Sequence, residues 1–273
     1  MHHSADSCAD HSGPWWDDYR GLLARLDGSQ VAAPDQLNKL LPPDSASGGG
    51  KPLRFVSAST IPGVDYEGHI YQTGEVSTRE GSWHDFYNAL AWCLLPRLKA
   101  AMNALHHAHL HEAHGGKRGA QRDALTLLDE SGAIVVSRSR ELLAALASRD
   151  WQQAFGDLRS AWRSEARVVI CGHGLLEKLR SPYKSVTAHA LLLSDEAPEG
   201  ALWKDEFLPA LDAALANRLA GGLCRTTADL SPLPLMGIPA WWPEGDQDHA
   251  FYDDPAVFRA APPGLRLPPV HAL

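Results

Sequence analysis

Between Trp83 and His111 the chain carries apolar side chains at Phe86, Ala89, Leu90, Cys93, Leu94, Leu98, Ala101, Met102 and Leu105. That i, i+3, i+4, i+7 spacing lines one face of a helix and predicts a long element buried over most of its length. Pro96 falls inside the pattern, where it removes a backbone N–H and crowds the preceding turn, so a kink is expected there. A buried rod of this length needs apolar partners on several sides. With 273 residues, 44% of them hydrophobic, the chain can supply them.

The remaining segments divide by composition. Trp15, Trp16, Tyr19, Leu22, Leu23 and Leu26 repeat at helical spacing and predict a first amphipathic helix. "LLPPDSASGGGKP" (40–52) reads as a mobile linker, since its prolines and glycine run favour no regular element. "LRFVS" (53–57) and "HIYQTGEVST" (69–78) read as strands around a Pro62-Gly63 turn. "DALTLLDESGAIVVS" (123–137) reads as a β-hairpin turning at Asp129-Glu130-Ser131-Gly132. Helical patterns follow at 139–147, 150–163 and 203–219. A β-branched run enters a helix through Gly172-His173-Gly174, and a strand is expected at 187–194.

The proline-rich "SPLPLMGIPAWWPEGD" and "APPGLRLPPV" predict an ordered but irregular strap. The expected fold class is α+β: a single domain with a small mixed sheet, a long kinked buried helix and an irregular Pro-rich C-terminal strap. The expected divisions are an arm with one helix and the Pro/Gly linker over 1–52, a main α+β domain over 53–245, and a Pro-rich tail over 246–273.

A formal net charge of -8 disfavours broad binding to nucleic acid. The four cysteines, Cys8, Cys93, Cys171 and Cys224, form no close pair, which suggests reduced thiols. With no apolar leader after the first residues and no run of about 18 apolar residues, a cytoplasmic protein without a membrane span is expected.

Polar residues concentrate at the start of the long helix. Ser82 and Asp85 have near capping-box spacing, which accounts for both as helix-start residues. His84 and Asn88 are i and i+4, so they share one helix face. Arg79, Thr78 and Glu67 lie just upstream, and Trp83 is adjacent. An imidazole beside carboxylates can act as a general base or hold a metal. The His84-Asp85 doublet is similar to that of metal-dependent phosphohydrolases, with His69 preceding it and Asp123 or Asp129 following. His107, His111 and His114 have a spacing that could surround one metal ion, but they sit at a fraying helix end without a zinc motif. Arg122 and Asp123 fall on opposite faces of the expected hairpin. His173 sits in a glycine corner that suits either a tight turn or an anion site.

"GEVSTREGSWHDFYNALAW", "PRLKAAMNALH", "RDALTLLDESGAIV", "GHGLLEKL" and "PLPLMGIPAWW" occur in this order over residues 60–245. Together they resemble a family of bacterial proteins known as domain of unknown function 3025. The resemblance implies one domain of this size and carries no activity with it.

Two functional expectations follow. The first is a hydrolase, metal-assisted by a divalent ion on His84 and Asp85, with His84, Asp85, Asn88, Arg79 and Asp123 as catalytic residues. Arg122, Glu67, Thr78, Trp83 and His173 would bind an anionic small-molecule substrate. The second is a non-catalytic domain that binds a small ligand or protein. In it the same polar residues form a hydrogen-bond network, and Trp241-Trp242 forms the contact surface.

Overall fold

The computed structural model describes residues 10–26, 31–61, 65–110, 119–196, 198 and 200–273. The Pro62-Gly63 turn, His111 and His114 lie outside them. The described helices are α1 (Arg20–Leu23), α2 (Pro34–Asn38), α3 (Tyr66–Thr73), α4 (Trp83–Leu94), α5 (Pro96–Leu110) and α6 (Ala120–Ser131). They continue with α7 (Arg140–Ser148), α8 (Ala161–Ser164), α9 (His173–Lys178), α10 (Phe207–Ala220) and α11 (His249–Tyr252). The strands are β1 (Arg54–Ser57), β2 (Glu75–Thr78), β3 (Gly132–Ser137), β4 (Ala166–Ile170), β5 (Thr187–Ser194), β6 (Ser231–Pro234) and β7 (Val270–Ala272). The fold is α+β with a small mixed sheet.

In the larger sheet β3 pairs antiparallel with β4 and parallel with β5. Every residue of β3 is buried, as expected of a central strand covered on both faces. One edge of β5 is shared: Thr187–Ala190 pairs with β6 and Leu192–Ser194 with β7. Part of the proline-rich strap is therefore regular. Pro232 and Pro234 are tolerated because β6 pairs on one side only and can turn its missing donors outward. One apolar cluster, including Val135, Leu142, Leu146 and Leu192, fills one face of the sheet. The other, including Ile134, Leu125, Leu128 and Leu215, packs α5, α6 and α10 on the opposite face.

The kink at Pro96 is a complete break. Leu95, at φ -129° and ψ 58°, separates α4 from α5, because the residue before a proline is pushed out of the helical region. Proline then opens α5, where its missing N–H costs nothing. The exposed donors behind it are met from across the core. Asp212 on α10 accepts from the Arg97 and Leu98 N–H groups at 3.0 and 2.8 Å.

Four further expectations are corrected. The hairpin over 123–137 is the helix α6 followed by the single strand β3: Ala124, Leu125 and Leu128 are buried at helical spacing, and the Asp129–Gly132 segment is the helix end. The strand expected over 69–78 is split: its first half belongs to α3, capped by the Asp65 side chain and ended by Gly74 at φ 77°, and its second half is the strand β2. The helix over 150–163 is a π-helical stretch, Gln152–Asp157, followed by α8. The segment read as a mobile linker is a packed turn: Ser47 is buried and bonds to the Tyr71 carbonyl, and Gly48 N–H donates to Asn103. The leading segment is also anchored, with Trp16 and Tyr19 fully buried and the Tyr19 hydroxyl donating to Ile170 O at 2.7 Å.

Replacing Asp212 with Ala leaves two helix-start donors without partners in a dry interface. A loss of about 1–3 kcal/mol is expected by urea denaturation. Asp212→Asn, which keeps one acceptor oxygen, is expected to lose less.

Candidate functional site

A cleft of about 590 Å3 opens where the first turns of α4 and α9 meet the end of α6 and the segment around α3 and β2. Arg79, His84, Asp85, Asn88, Arg122, Glu67 and His173 line it together. Three expected residues stand apart. Asp123 is exposed on α6 and outside the lining, because α6 is a helix and turns that position to solvent. Thr78 is buried on the opposite side of β2 from Ser77 and Arg79. Trp83 packs against Phe86 and Tyr87 under the Arg180 guanidinium, 4.0 Å from its ring.

Asp85 is committed to the scaffold. The Ser82 hydroxyl accepts from Asp85 N–H at 3.2 Å, as the capping reading expects. The Asp85 carboxylate accepts from the backbone N–H, Nε and Nη2 of Arg79 at 2.7, 2.9 and 2.7 Å. Burial pushes its carboxyl up, and the Arg79 bonds outweigh this and hold it below the ordinary range. Asp85 and His84 therefore point to different partners. His69 is also engaged elsewhere, 2.9 Å from Glu75.

His84 meets residues that no local pattern linked to it. Its Nε2 lies 3.0 Å from Nε2 of His173, and Oε1 of Glu130 is 3.4 Å from the His173 nitrogen and 3.9 Å from that of His84. Among the described residues these three form the one group whose ligand atoms converge closely enough for a shared metal ion. Each imidazole has a carboxylate behind it. His84 Nδ1 is 3.0 Å from Oε2 of Glu177, and His173 Nδ1 is 3.7 Å from Oδ2 of Asp129. Hydrogen bonding to His173 holds the Glu130 carboxyl below its usual value against the pull of burial.

Two glycines make this meeting possible. A Cβ on Gly172 would lie 2.3 Å from the backbone nitrogen of Gly132, and one on Gly174 would lie 2.6 Å from Oε2 of Glu130. The Gly-His-Gly corner thus serves close packing between the start of α9 and the end of α6.

Behind the cleft is a buried polar network. Lys99, only 6% exposed, donates to Asn88 Oδ1 at 2.9 Å and to Asp129. Asn88 donates to the Tyr66 hydroxyl at 2.8 Å. Burial pushes the Asp129 carboxyl up, but Lys99 and His173 outweigh it, and the group stays ionised below the ordinary range. Glu67 goes the other way. Burial raises its carboxyl although Asn103 donates to it at 2.7 Å.

Sequence reasoning missed Glu130, Glu177 and Lys99 and placed Asp129 in a turn. A helical reading of α6 from Ala124, Leu125 and Leu128 would have put Arg122, Thr126, Asp129 and Glu130 within two turns of one another. Nothing local links Glu177 to His84.

A family model described as protein of unknown function (DUF3025) matches residues 53–261. No curated protein and no solved structure matches the chain. No described helix is long and apolar enough to cross a membrane. The matched span exceeds half of the chain and includes every residue that lines the cleft, and the chain accordingly belongs to the DUF3025 family of proteins of unknown function.

Proposed function

We propose that the cleft is the active site of a metal-assisted hydrolase acting on a small substrate with an anionic group. The observation that carries this reading is the convergence of His84 Nε2, His173 Nε2 and Glu130 Oε1. Two ligands about 2.1 Å from one ion lie about 3.0–3.4 Å apart at right-angled or tetrahedral geometry. The histidine pair at 3.0 Å and the His173–Glu130 pair at 3.4 Å fit that spacing, and the His84–Glu130 pair, at 3.9 Å, is wider than it.

The proton arrangement supports a cation as well. If His173 used an Nε2 proton to bond His84, its Nδ1 lone pair would face the Asp129 carboxylate, and in the protein alone that buried Nδ1 has no hydrogen-bond partner. With a cation between the two Nε2 atoms, both Nδ1 protons point at carboxylates, the arrangement typical of metal-bound histidine.

A divalent ion held there would supply Lewis acidity and a water of lowered pKa. The remaining roles belong to side chains. Glu177, 3.0 Å from Nδ1, holds the His84 tautomer, Asp129 faces His173 Nδ1 at 3.7 Å, and Lys99, itself bonded to Asn88, holds Asp129. Arg122 lines the cleft with no acidic partner among the described residues, and its guanidinium is the group for an anionic substrate. Glu67, whose burial keeps a proton on the carboxyl to higher pH, can donate to a leaving group. Arg79 and Asp85 keep the start of α4 in place.

Elemental analysis of the purified protein is expected to find about one divalent ion per chain after incubation with zinc or manganese. His173→Ala and Glu130→Gln are expected to carry less than about a tenth of that. Turnover of a phosphoester or ester from a substrate panel should vanish in both variants. It should also vanish with chelator and return with metal. A protein that takes up no metal would sink the proposal. Stoichiometric metal without turnover across the panel would favour the second reading, a ligand-binding domain, which the internally satisfied Asn88–Lys99–Asp129 network supports.

Gly174→Ala tests the packing argument separately. The closest atom is the end of the flexible Glu130 side chain, with the Glu130 carbonyl oxygen next at 3.1 Å, so stability should fall by about 1–3 kcal/mol, as overpacking does. Metal affinity should fall about 10–100-fold, and Glu177→Gln should give a loss of similar size.

A further inference from the structure

A second cavity, of about 420 Å3, lies between the β5–β6 edge and the C-terminal segment around Ala256–Arg259. It shares no lining residue with the first cleft, and its chemistry is the reverse. The first cleft is lined by the carboxylates of Asp65, Glu67, Asp85, Asp129 and Glu130. The second has Arg149, Arg259 and His189, the hydroxyls of Ser185 and Thr187, and no carboxylate. In a chain with 33 acidic and 25 basic side chains, acids are plentiful, yet neither guanidinium is in an ion pair among the described residues.

Two buried polar atoms here lack partners: Nε of Arg149 and Nδ1 of His189. Arg259 uses its Nε only on the Ala256 carbonyl, at 3.3 Å. An unpaired buried donor such as Arg149 Nε is costly, and an anion held by that guanidinium would offset the cost; His189 Nδ1 adds a second donor in the tautomer that protonates it. The backbone adds a separate observation. Arg149 closes α7 at φ 57°, in the left-handed region where glycine is the low-energy choice, at a cost of about 1–2 kcal/mol for a side chain. The fold thus carries a guanidinium at the cavity where glycine would be more stable.

The rest of the wall is apolar, formed by Trp151, Pro232, Pro234 and Val257. That combination suits an anionic head on an organic body more than a free inorganic ion. We infer that this cavity is a binding site for a small organic anion, with Arg149, Arg259 and His189 holding its phosphate or carboxylate head and Trp151 and the prolines packing on its body.

Titration calorimetry with phenyl phosphate and with benzoate tests the inference on the full chain. Saturable binding of at least one of them is expected, weakened by added salt. Arg149→Gly and Arg259→Gln should each reduce the affinity at least about tenfold, as loss of a charge-assisted hydrogen bond implies. Arg149→Gly suits the backbone at φ 57°, so its melting temperature should hold or rise and loss of binding cannot be ascribed to misfolding. Glu130→Gln should leave the binding intact, which separates this site from the proposed metal cleft whether or not that cleft is catalytic. Binding of phenyl phosphate alone would identify a phosphate head and of benzoate alone a carboxylate. No binding of either at millimolar concentration, affinity unchanged in both arginine variants, or loss of binding in Glu130→Gln would overturn it.

Discussion

The contact on which the site depends is the approach of one backbone corner to another. The chain leaves β4 through Cys171 and Gly172, whose N–H groups both donate to the Gly132 carbonyl at 3.1 and 2.9 Å, where α6 passes into β3. No side chain fits between them at Gly172, and at Gly174 a Cβ would meet the end of the Glu130 side chain at 2.6 Å and the Glu130 backbone carbonyl oxygen at 3.1 Å. The consequence reaches outward in both directions. α9 begins against the last turn of α6, so His173 lies beside Asp129 and Glu130, and Glu177, one turn on, meets His84 from α4.

Around that contact the protein spends its buried polar groups unevenly. Lys99 is paired with both Asn88 and Asp129, and removing Lys99 or Asp129 would leave a charge uncompensated in a medium of low dielectric. The histidine pair is different: its two Nε2 atoms face each other at 3.0 Å with the Glu130 carboxylate beside them. The cavity at Arg149 and Arg259 has the opposite lining, with two guanidinium groups, no carboxylate and a buried Arg149 Nε that has no hydrogen-bond partner. The two cavities therefore differ in the balance of charged side chains that line them, and they share no residue.

Much of the local structure could be read from short-range rules. Ser82 caps α4, Pro96 ends it, and His84 and Asn88 face one cleft because they are four residues apart. The errors have identifiable causes. Asp129-Glu130-Ser131-Gly132 has the composition of a turn, and that impression prevailed over the helical spacing of Ala124, Leu125 and Leu128. Asp85 is adjacent to His84 in sequence, and adjacency suggests a partnership that the helix does not allow. Adjacent residues on a helix diverge by about 100°, and Arg79 holds the Asp85 carboxylate instead.

The sequence by itself determined where α4, α5, β5 and α10 run, and that a polar stripe would head a buried helix, because capping, periodicity and proline act within a few residues. Only the tertiary structure decided what that stripe faces. His173, Glu130 and Glu177 lie 46 to 93 residues from His84 along the chain, and their meeting depends on the packing of α4, α6 and α9 at the glycine corner. A pattern confined to one helix carries no record of the side chains that other elements bring against it.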